Sequence, residues 1–292
     1  MSAIILSGRE VRDTLTPELT KRIRALPFTP ALAVIQVGDR PDSTSYIKAK
    51  KTFADKVGVK MKHIQVPENT LPEPLTKIIE QCNADKTVQG IVVQLPLSAG
   101  LDREAVINAI DPGKDTDALT SYSMKRWQGG ETGALLPATA RGVREIMAYY
   151  RIDLSGRQVC VVGRSDLVGK PVAAMCFAAG AKVTVCHSKT SDLAAETRKA
   201  DVLIVAAGRP GLIGREHVKD GAVVIDIGIN KVTGERLEDE IPGTRLVGDV
   251  DLDAVKDTAS AITPVPGGVG PMTVLALFEN LIDLCYDPDS KH

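Results

Sequence analysis

Val159-Cys160-Val161-Val162-Gly163-Arg164-Ser165-Asp166-Leu167-Val168-Gly169-Lys170-Pro171 reads as an apolar strand that breaks into a glycine-bounded turn and restarts as a helix. A second run, 182–186, ends in His187-Ser188-Lys189. In a dinucleotide-binding βαβ unit, backbone N–H groups of the first strand-to-helix turn receive the pyrophosphate, and the residue closing the second strand meets the adenosine ribose. A carboxylate there would favour NAD. His187, Ser188 and Lys189 stand there instead, with Arg164 in the first turn, so donors and positive charge await a 2′-phosphate and the reading is NADP. Ser165 replaces the second glycine of the usual Gly-x-Gly-x-x-Gly pattern, and plain strand–turn–helix punctuation is the competing reading of such a turn.

Working outward, strands are expected at 158–162, 182–186, 202–206, 223–227 and 245–247, a series that suits a doubly wound sheet. A helix at 141–150 leads into it, after an irregular glycine-rich stretch at 127–136. Upstream, a strand at 31–37, a helix at 45–57, a strand at 62–66, a helix at 75–83 and a buried strand at 90–95 make a first α/β block. Gly-Pro punctuation from Pro264 to Pro271 precedes an apolar helix at 273–284 that crosses back to that block.

Composition narrows the function classes. The chain has 292 residues, 43% hydrophobic and 25% charged, and a net charge of −1, so no general field invites nucleic acid or an anionic membrane. No window approaches 18 consecutive apolar residues, and the Met1–Leu6 opening lacks the basic flank of a signal peptide, so a cytoplasmic location is expected. Cys82, Cys160, Cys176, Cys186 and Cys285 are an odd set without short paired spacings, read as reduced core residues rather than disulfide or metal partners.

The first block carries the candidates for chemistry. Tyr46 and Lys50, four apart on an expected helix, project from one face. A basic solvated face with Tyr46 half buried is the plainer reading of that spacing. Ligands of open α/β sheets bind beyond the carboxyl ends of the strands, and Val92-Val93-Gln94-Leu95-Pro96-Leu97 places an amide at such an end, in a position to hold Lys50. Asp111-Pro112-Gly113-Lys114-Asp115-Thr116-Asp117-Ala118 is a carboxylate-dense loop suited either to structural pairing with lysines or to a ligand bearing N–H groups.

Tyr46 with Lys50, Val93-Gln94-Leu95-Pro96-Leu97, Lys114-Asp115-Thr116-Asp117, Gly163-Arg164-Ser165 with Val168-Gly169-Lys170-Pro171, and Ile262-Thr263-Pro264-Val265-Pro266-Gly267-Gly268-Val269-Gly270-Pro271-Met272-Thr273 occur in one order along nearly the whole chain. Together they resemble the bifunctional methylenetetrahydrofolate dehydrogenase/methenyltetrahydrofolate cyclohydrolase family. The resemblance implies an α/β fold of two domains with a cleft between them: an N-terminal α/β catalytic domain, residues 1–138 plus 271–292, that binds folate, and a Rossmann-type doubly wound NADP-binding domain, residues 139–270.

It also implies roles. Lys50 matches the catalytic lysine of the cyclohydrolase step, assisted by Tyr46 and oriented by Gln94, with Asp117 accepting from the pterin N–H groups. Val93, Leu95 and the run Pro266, Gly267, Gly268, Val269, Gly270 and Pro271 match the folate-lining positions. Gly163, Arg164, Ser165, Ser188, His187, Thr139 and Ile229 match the NADP contacts, Ile229 near the nicotinamide end. A homodimer through the cofactor domain, a tetrahydrofolate-derived substrate and a supply of one-carbon units to purine biosynthesis follow from the same resemblance, and no metal does. The family usually has Gly at Ala118, Val at Thr116, Pro at Ser98 and Cys-Thr-Pro at Ala138-Thr139-Ala140, which leaves the relative rates of the two activities open. Two other readings stand beside it: another NADP dehydrogenase acting on a small hydroxy acid, for which no His-plus-Asp pair is evident, and a non-catalytic dinucleotide-binding module.

Overall fold

A computed structural model describes residues 2–131, 133–233 and 244–286. In chain order the elements are β1 (Ile4–Ile5), α1 (Gly8–Arg24), β2 (Ala31–Val37), α2 (Pro41–Val57), β3 (Lys60–Val66), α3 (Pro72–Ala84), β4 (Gly90–Val93), α4 (Arg103–Asn108), α5 (Ser121–Gln128), α6 (Ala138–Tyr149), β5 (Gln158–Val162), α7 (Gly169–Ala178), β6 (Lys182–Cys186), α8 (Leu193–Thr197), β7 (Val202–Val205), β8 (Val223–Asp226), β9 (Asn230–Thr233), β10 (Thr244–Val247), α9 (Leu252–Val255), β11 (Ala261–Ile262) and α10 (Val269–Tyr286). They form two compact units, one of Asp13–Ala138 with the chain from Val274 on, the other of the chain up to Arg12 with Thr139–Thr273.

The first of these units is built on a three-stranded sheet in the order β3-β2-β4, parallel throughout. Its central strand β2 is buried along its whole length, as a run apolar but for Gln36 requires of a strand covered on both faces. α2 begins four residues before the expected start, because Pro41 is preset for the first helical position, and it stops at Gly58, whose φ of 89° provides the left-handed cap. β4 ends at Val93 rather than Leu95, yet the Gln94 N–H still bonds the Ile35 carbonyl at 2.8 Å. Ile35, Ile79, Leu75, Ile91 and Ile107 fill the core. In α10, Phe278 packs on Phe53 at 5.3 Å between ring centroids. That helix is long and apolar enough to cross a bilayer, but Leu275, Leu277, Phe278, Leu281 and Ile282 are at most 1% exposed, the burial of a core helix.

The other unit carries a six-stranded parallel sheet ordered β1-β11-β8-β7-β5-β6. From β5 the chain runs outward to β6 and then returns to β7 on the opposite side, so the winding reverses between β5 and β7, where open α/β sheets take ligands. One expectation is corrected. The strand at 245–247 does not join this sheet but pairs antiparallel with β9, because its own period cannot say which partner it meets. The chain up to Arg12 groups by its contacts with this unit, since Ile4 and Ile5 pair with Ala261 and Ile262.

Candidate active-site residues

Lys50 lies on α2, the helix that follows β2, and Gln94 directly follows the neighbouring strand β4. The Lys50 ammonium Nζ donates to Gln94 Oε1 at 2.9 Å, and Gln94 Nε2 donates to the Leu95 carbonyl at 2.8 Å, which fixes the amide's orientation. Lys50 is buried. Burial pushes its pKa down, and the negative charge of Asp117 opposes that shift. Asp117 moves the other way: burial raises its pKa, Lys50 lowers it and Asp115 raises it. The amine and the carboxyl are thus coupled, each restraining the other's departure from its charged form. Tyr46, one turn earlier on α2, keeps 38% of its surface exposed. Val93 closes β4 and is buried.

The loop 111–118 divides its charges between structure and site. Asp111 Oδ1 caps the Gly113 N–H at 2.9 Å. Lys114 Nζ donates to the Asp85 and Cys82 carbonyls at 2.8 and 3.1 Å, and the Asp115 carboxylate accepts from the Thr120 and Leu119 N–H groups at 2.8 and 3.2 Å. Those three are anchored in the fold, which singles out Asp117. Two departures noted above have local accounts. Ala118 has φ 55°, a conformation glycine adopts without strain, and the Thr116 hydroxyl donates to the Lys114 carbonyl at 3.3 Å.

In the other unit, Gly163 (φ 131°) ends β5, and a Cβ there would overlap the Ala206 carbonyl; one at Gly169 would overlap the Gly163 carbonyl. Only glycine permits so tight a turn between strand and helix. Ser165 Oγ accepts from the Val168 and Gly169 N–H groups at 3.2 and 3.3 Å, capping α7 in the place of the missing glycine. Arg164 and Ser165 are exposed at this turn, and Ser188 and Lys189 are exposed beyond β6. His187 Nδ1 accepts from the Lys189 N–H at 3.1 Å, which turns the segment after β6, and His187-Ser188-Lys189 carries no carboxylate. This donor set fits a phosphorylated adenosine.

The remaining positions also fall in this unit. Thr139 opens α6. Gly267 (φ 111°) accepts the Arg9 N–H at 3.2 Å, and Gly8 has no room for a Cβ against the Gly268 carbonyl, so the Pro266–Gly268 turn is seated on the start of α1. Val269 and Gly270 begin α10, followed by Pro271. A Cβ at Gly270 would reach Ile229 Cδ1 at 3.4 Å, which places Ile229 beside this loop. Sequence reading missed two residues at this sheet edge, Asp226 and Asp249, both buried. Their signal was an acid closing one parallel strand and another in Gly248-Asp249-Val250.

Two family models match in tandem: tetrahydrofolate dehydrogenase/cyclohydrolase, catalytic domain, over residues 6–117, and the NAD(P)-binding domain of the same name over residues 137–287. The bifunctional protein FolD of Geobacillus thermodenitrificans is 46% identical over 286 residues, 97% of each chain. Among solved structures, the bifunctional FolD methylenetetrahydrofolate dehydrogenase/cyclohydrolase of Campylobacter jejuni superposes with a TM-score of 0.91 at 38% identity, covering 98% of this chain and 99% of its own. The Trypanosoma brucei methylenetetrahydrofolate dehydrogenase-cyclohydrolase complexed with NADP cofactor and inhibitor gives 0.91 at 35% identity, covering 97% of both chains.

Proposed function

Since this chain belongs to the tetrahydrofolate dehydrogenase/cyclohydrolase family and is a bifunctional enzyme of one-carbon folate metabolism, we propose that Lys50, with Tyr46, Gln94 and Asp117, carries its hydrolytic step and that its dinucleotide is NADP. The first reaction converts 5,10-methylenetetrahydrofolate to the 5,10-methenyl cation, and the second adds water and opens the ring to 10-formyltetrahydrofolate with release of a proton. When bound, NADP⁺ supplies the hydride acceptor. The first step asks the protein for orientation rather than for a strong acid or base. The second needs a group that moves a proton near neutral pH.

The observation that carries this reading is the Lys50–Gln94 hydrogen bond in a buried setting. An amine whose pKa is lowered by burial gives up its proton more readily than a solvated lysine, and the Gln94 amide holds it in one rotamer. Asp117 is the acceptor proposed for the pterin N–H groups, and Val93, Leu95 and Pro266–Pro271 are the proposed folate-lining positions. Residues 13–138 with those from 274 on are the proposed folate-handling part, and the unit with Thr139–Thr273 the proposed cofactor-handling part. For the cofactor, Gly163, Arg164, Ser165, His187 and Ser188 support recognition of a 2′-phosphate, with Thr139 and Ile229 as further contacts.

A homodimer through the outer strand β6 is the proposed assembly. β6 has a neighbour on one side only, Val185 on it is 42% exposed, and Phe177 on α7 is 73% exposed; an open edge flanked by apolar side chains favours pairing with a second copy. We assign the enzyme to the cytoplasm: its five cysteines form no disulfide, with the Cys160 thiol donating to Cys186 Sγ at 3.6 Å, and the mouse relative is named a cytoplasmic C-1-tetrahydrofolate synthase.

The deciding experiment is a spectrophotometric assay of the purified chain with methylenetetrahydrofolate, comparing NADP⁺ with NAD⁺ and following reduced cofactor and methenyl-folate separately. Reduction of NADP⁺ with subsequent loss of the methenyl species is expected. Preference for NAD⁺ overturns the cofactor reading, and hydrolysis retained in Lys50→Met overturns the role of Lys50.

A further inference from the structure

Two buried carboxylates at the carboxyl edge of the six-stranded sheet have no part in the chemistry proposed above. Asp226 ends β8 and is 3% exposed; Asp249 lies beyond β10 and is 0% exposed. Asp249 Oδ2 accepts from the backbone N–H groups of Ala207 and Gly208 at 2.7 and 2.8 Å. Its Oδ1 accepts from the Arg209 N–H and the Asn230 side-chain amide, each at 2.8 Å. Asp226 supports it from below, Oδ1 accepting from the Gly228 and Asp249 N–H groups at 2.9 and 3.1 Å and Oδ2 from the Val250 N–H at 2.9 Å. Neighbouring positions leave no room for any side chain: a Cβ at Gly228 would overlap the Asp249 carboxylate, and one at Gly248 would overlap Asp226 Oδ2.

The segments gathered here lie just beyond the carboxyl ends of two neighbouring parallel strands, where open α/β sheets take ligands. Residues 207–209 follow β7, whose next residue, Ala206, presents its carbonyl to Gly163 of the phosphate turn. Residues 228–230 follow β8 and present Ile229, an apolar side chain 41% exposed, next to a strand end where polar groups would be the default. Among the described residues, no sheet pairing joins the two segments, and the Asp249 carboxylate bonds to both. A carboxylate ringed by N–H dipoles in a dry site holds those dipoles stiffly. A wall ordered in advance then spares the ligand the entropy of ordering it.

We propose that Asp249, seated on Asp226, is a positioning residue for the nicotinamide half of the dinucleotide, tying the 207–209 and 229–230 segments into one preformed wall beside that ring. The proposal rests on the reading of this unit as an NADP site, and its test separates the two. Calorimetric titration of the full chain compares NADP⁺ with 2′,5′-ADP, which has the phosphorylated adenosine half and no nicotinamide. Asp249→Asn keeps the shape but turns one acceptor oxygen into an NH₂ group facing two donors. It is expected to raise the Kd for NADP⁺ about tenfold, the scale of one charge-assisted hydrogen bond, while leaving 2′,5′-ADP within about twofold.

Asn230→Ala removes one donor and leaves the carboxylate its backbone partners, so it keeps the test decisive where Asp249→Asn fails to fold. It is expected to weaken NADP⁺ selectively by about threefold, a fraction of one hydrogen bond. Equal weakening of both ligands would mean that the carboxylate only holds the unit together, and no weakening of either would mean that the wall needs no clamp; each overturns the assignment. Wild-type protein that binds neither ligand overturns the NADP reading itself, and the assignment with it.

Discussion

Lys50 and Gln94 stand 44 residues apart in the chain and share a 2.9 Å hydrogen bond, Nζ to Oε1. Parallel pairing of β2 with β4 makes this possible, because it brings the end of β4 next to the helix that follows β2. An amine held this way in a buried site is poised by its surroundings rather than by its own chemistry.

Lys50→Met is expected to lower the hydrolysis of methenyltetrahydrofolate by about 100-fold or more, the usual range for losing a general acid–base group, with the Kd for NADP⁺ unchanged by calorimetry. In the unsubstituted enzyme, burial lowers the Lys50 pKa, so hydrolysis should rise with pH and level off below the range of a solvated lysine. Asp117 opposes the lowering, so Asp117→Asn should shift the Lys50 titration, followed by NMR at Nζ, further down. A shift upward would contradict the coupling.

Arg164→Ala removes the exposed cation of the β5–α7 turn. A charge-assisted hydrogen bond to the 2′-phosphate contributes about 1.5–3 kcal/mol, so the ratio of kcat/KM for NADP⁺ over NAD⁺ should fall at least tenfold or so. An unchanged ratio would place the phosphate elsewhere.

Phe177→Glu sets a charge on the exposed α7 face beside the open edge of β6. Light scattering at micromolar concentration should then give the mass of one chain, against two for the unsubstituted protein. A dimer that survives the change excludes this face as the interface.

Arg151, exposed just beyond α6, has φ 55°; its N–H bonds the Ala148 carbonyl at 3.1 Å, and the Ile152 N–H bonds the Met147 carbonyl at 2.8 Å. This left-handed turn closes the helix at a steric cost that glycine lacks. Arg151→Gly should therefore stabilise by about 0.5–1 kcal/mol, after allowing for glycine's freer unfolded chain. Denaturant titration with an unchanged slope would show it as a higher midpoint.

Burial pushes the Asp226 carboxyl up to about 7, against the pull of its three backbone hydrogen bonds and with the Asp249 charge adding to the rise. The folded chain thus holds this proton more tightly than the unfolded one. Its contribution to stability is complete below the ordinary carboxylate value of 3.8 and is lost as the pH rises through about 7. Melts of the unsubstituted protein and of Asp226→Asn, compared from about pH 4 to pH 7.5, should show the variant gaining relative stability with rising pH by up to a few kcal/mol. A constant difference would mean that Asp226 is ionised throughout.

Much of this molecule was legible in the chain. β2, β5 and β6 fall at their expected bounds, because short runs rich in Val and other apolar residues, closed by turn residues, are a local signal. The tight turn at Gly163, the closeness of Gln94 to Lys50 and the family motifs were readable for the same reason: each is a short stretch of residue types with one chemical use. Other features had no local signal. β1 and β11 are two residues each, too short to show any period, and only their pairing makes them strands. The strand at 244–247 has a strand's composition, but its partner is β9 and not the large sheet, since pairing is chosen by contacts that periodicity does not encode.

The chain by itself determined the longer elements, the parallel class of the two larger sheets and the residues proposed for the chemistry, because propensity, periodicity and turn chemistry act over a few neighbouring residues. Only the tertiary structure decided which charges remain for function. It anchored Lys114 and Asp115 in the fold, coupled Asp117 to Lys50, and buried Asp226 and Asp249 under backbone donors from distant segments. Burial and partner distance set the cost of each charge, and both arise only when remote parts of the chain meet.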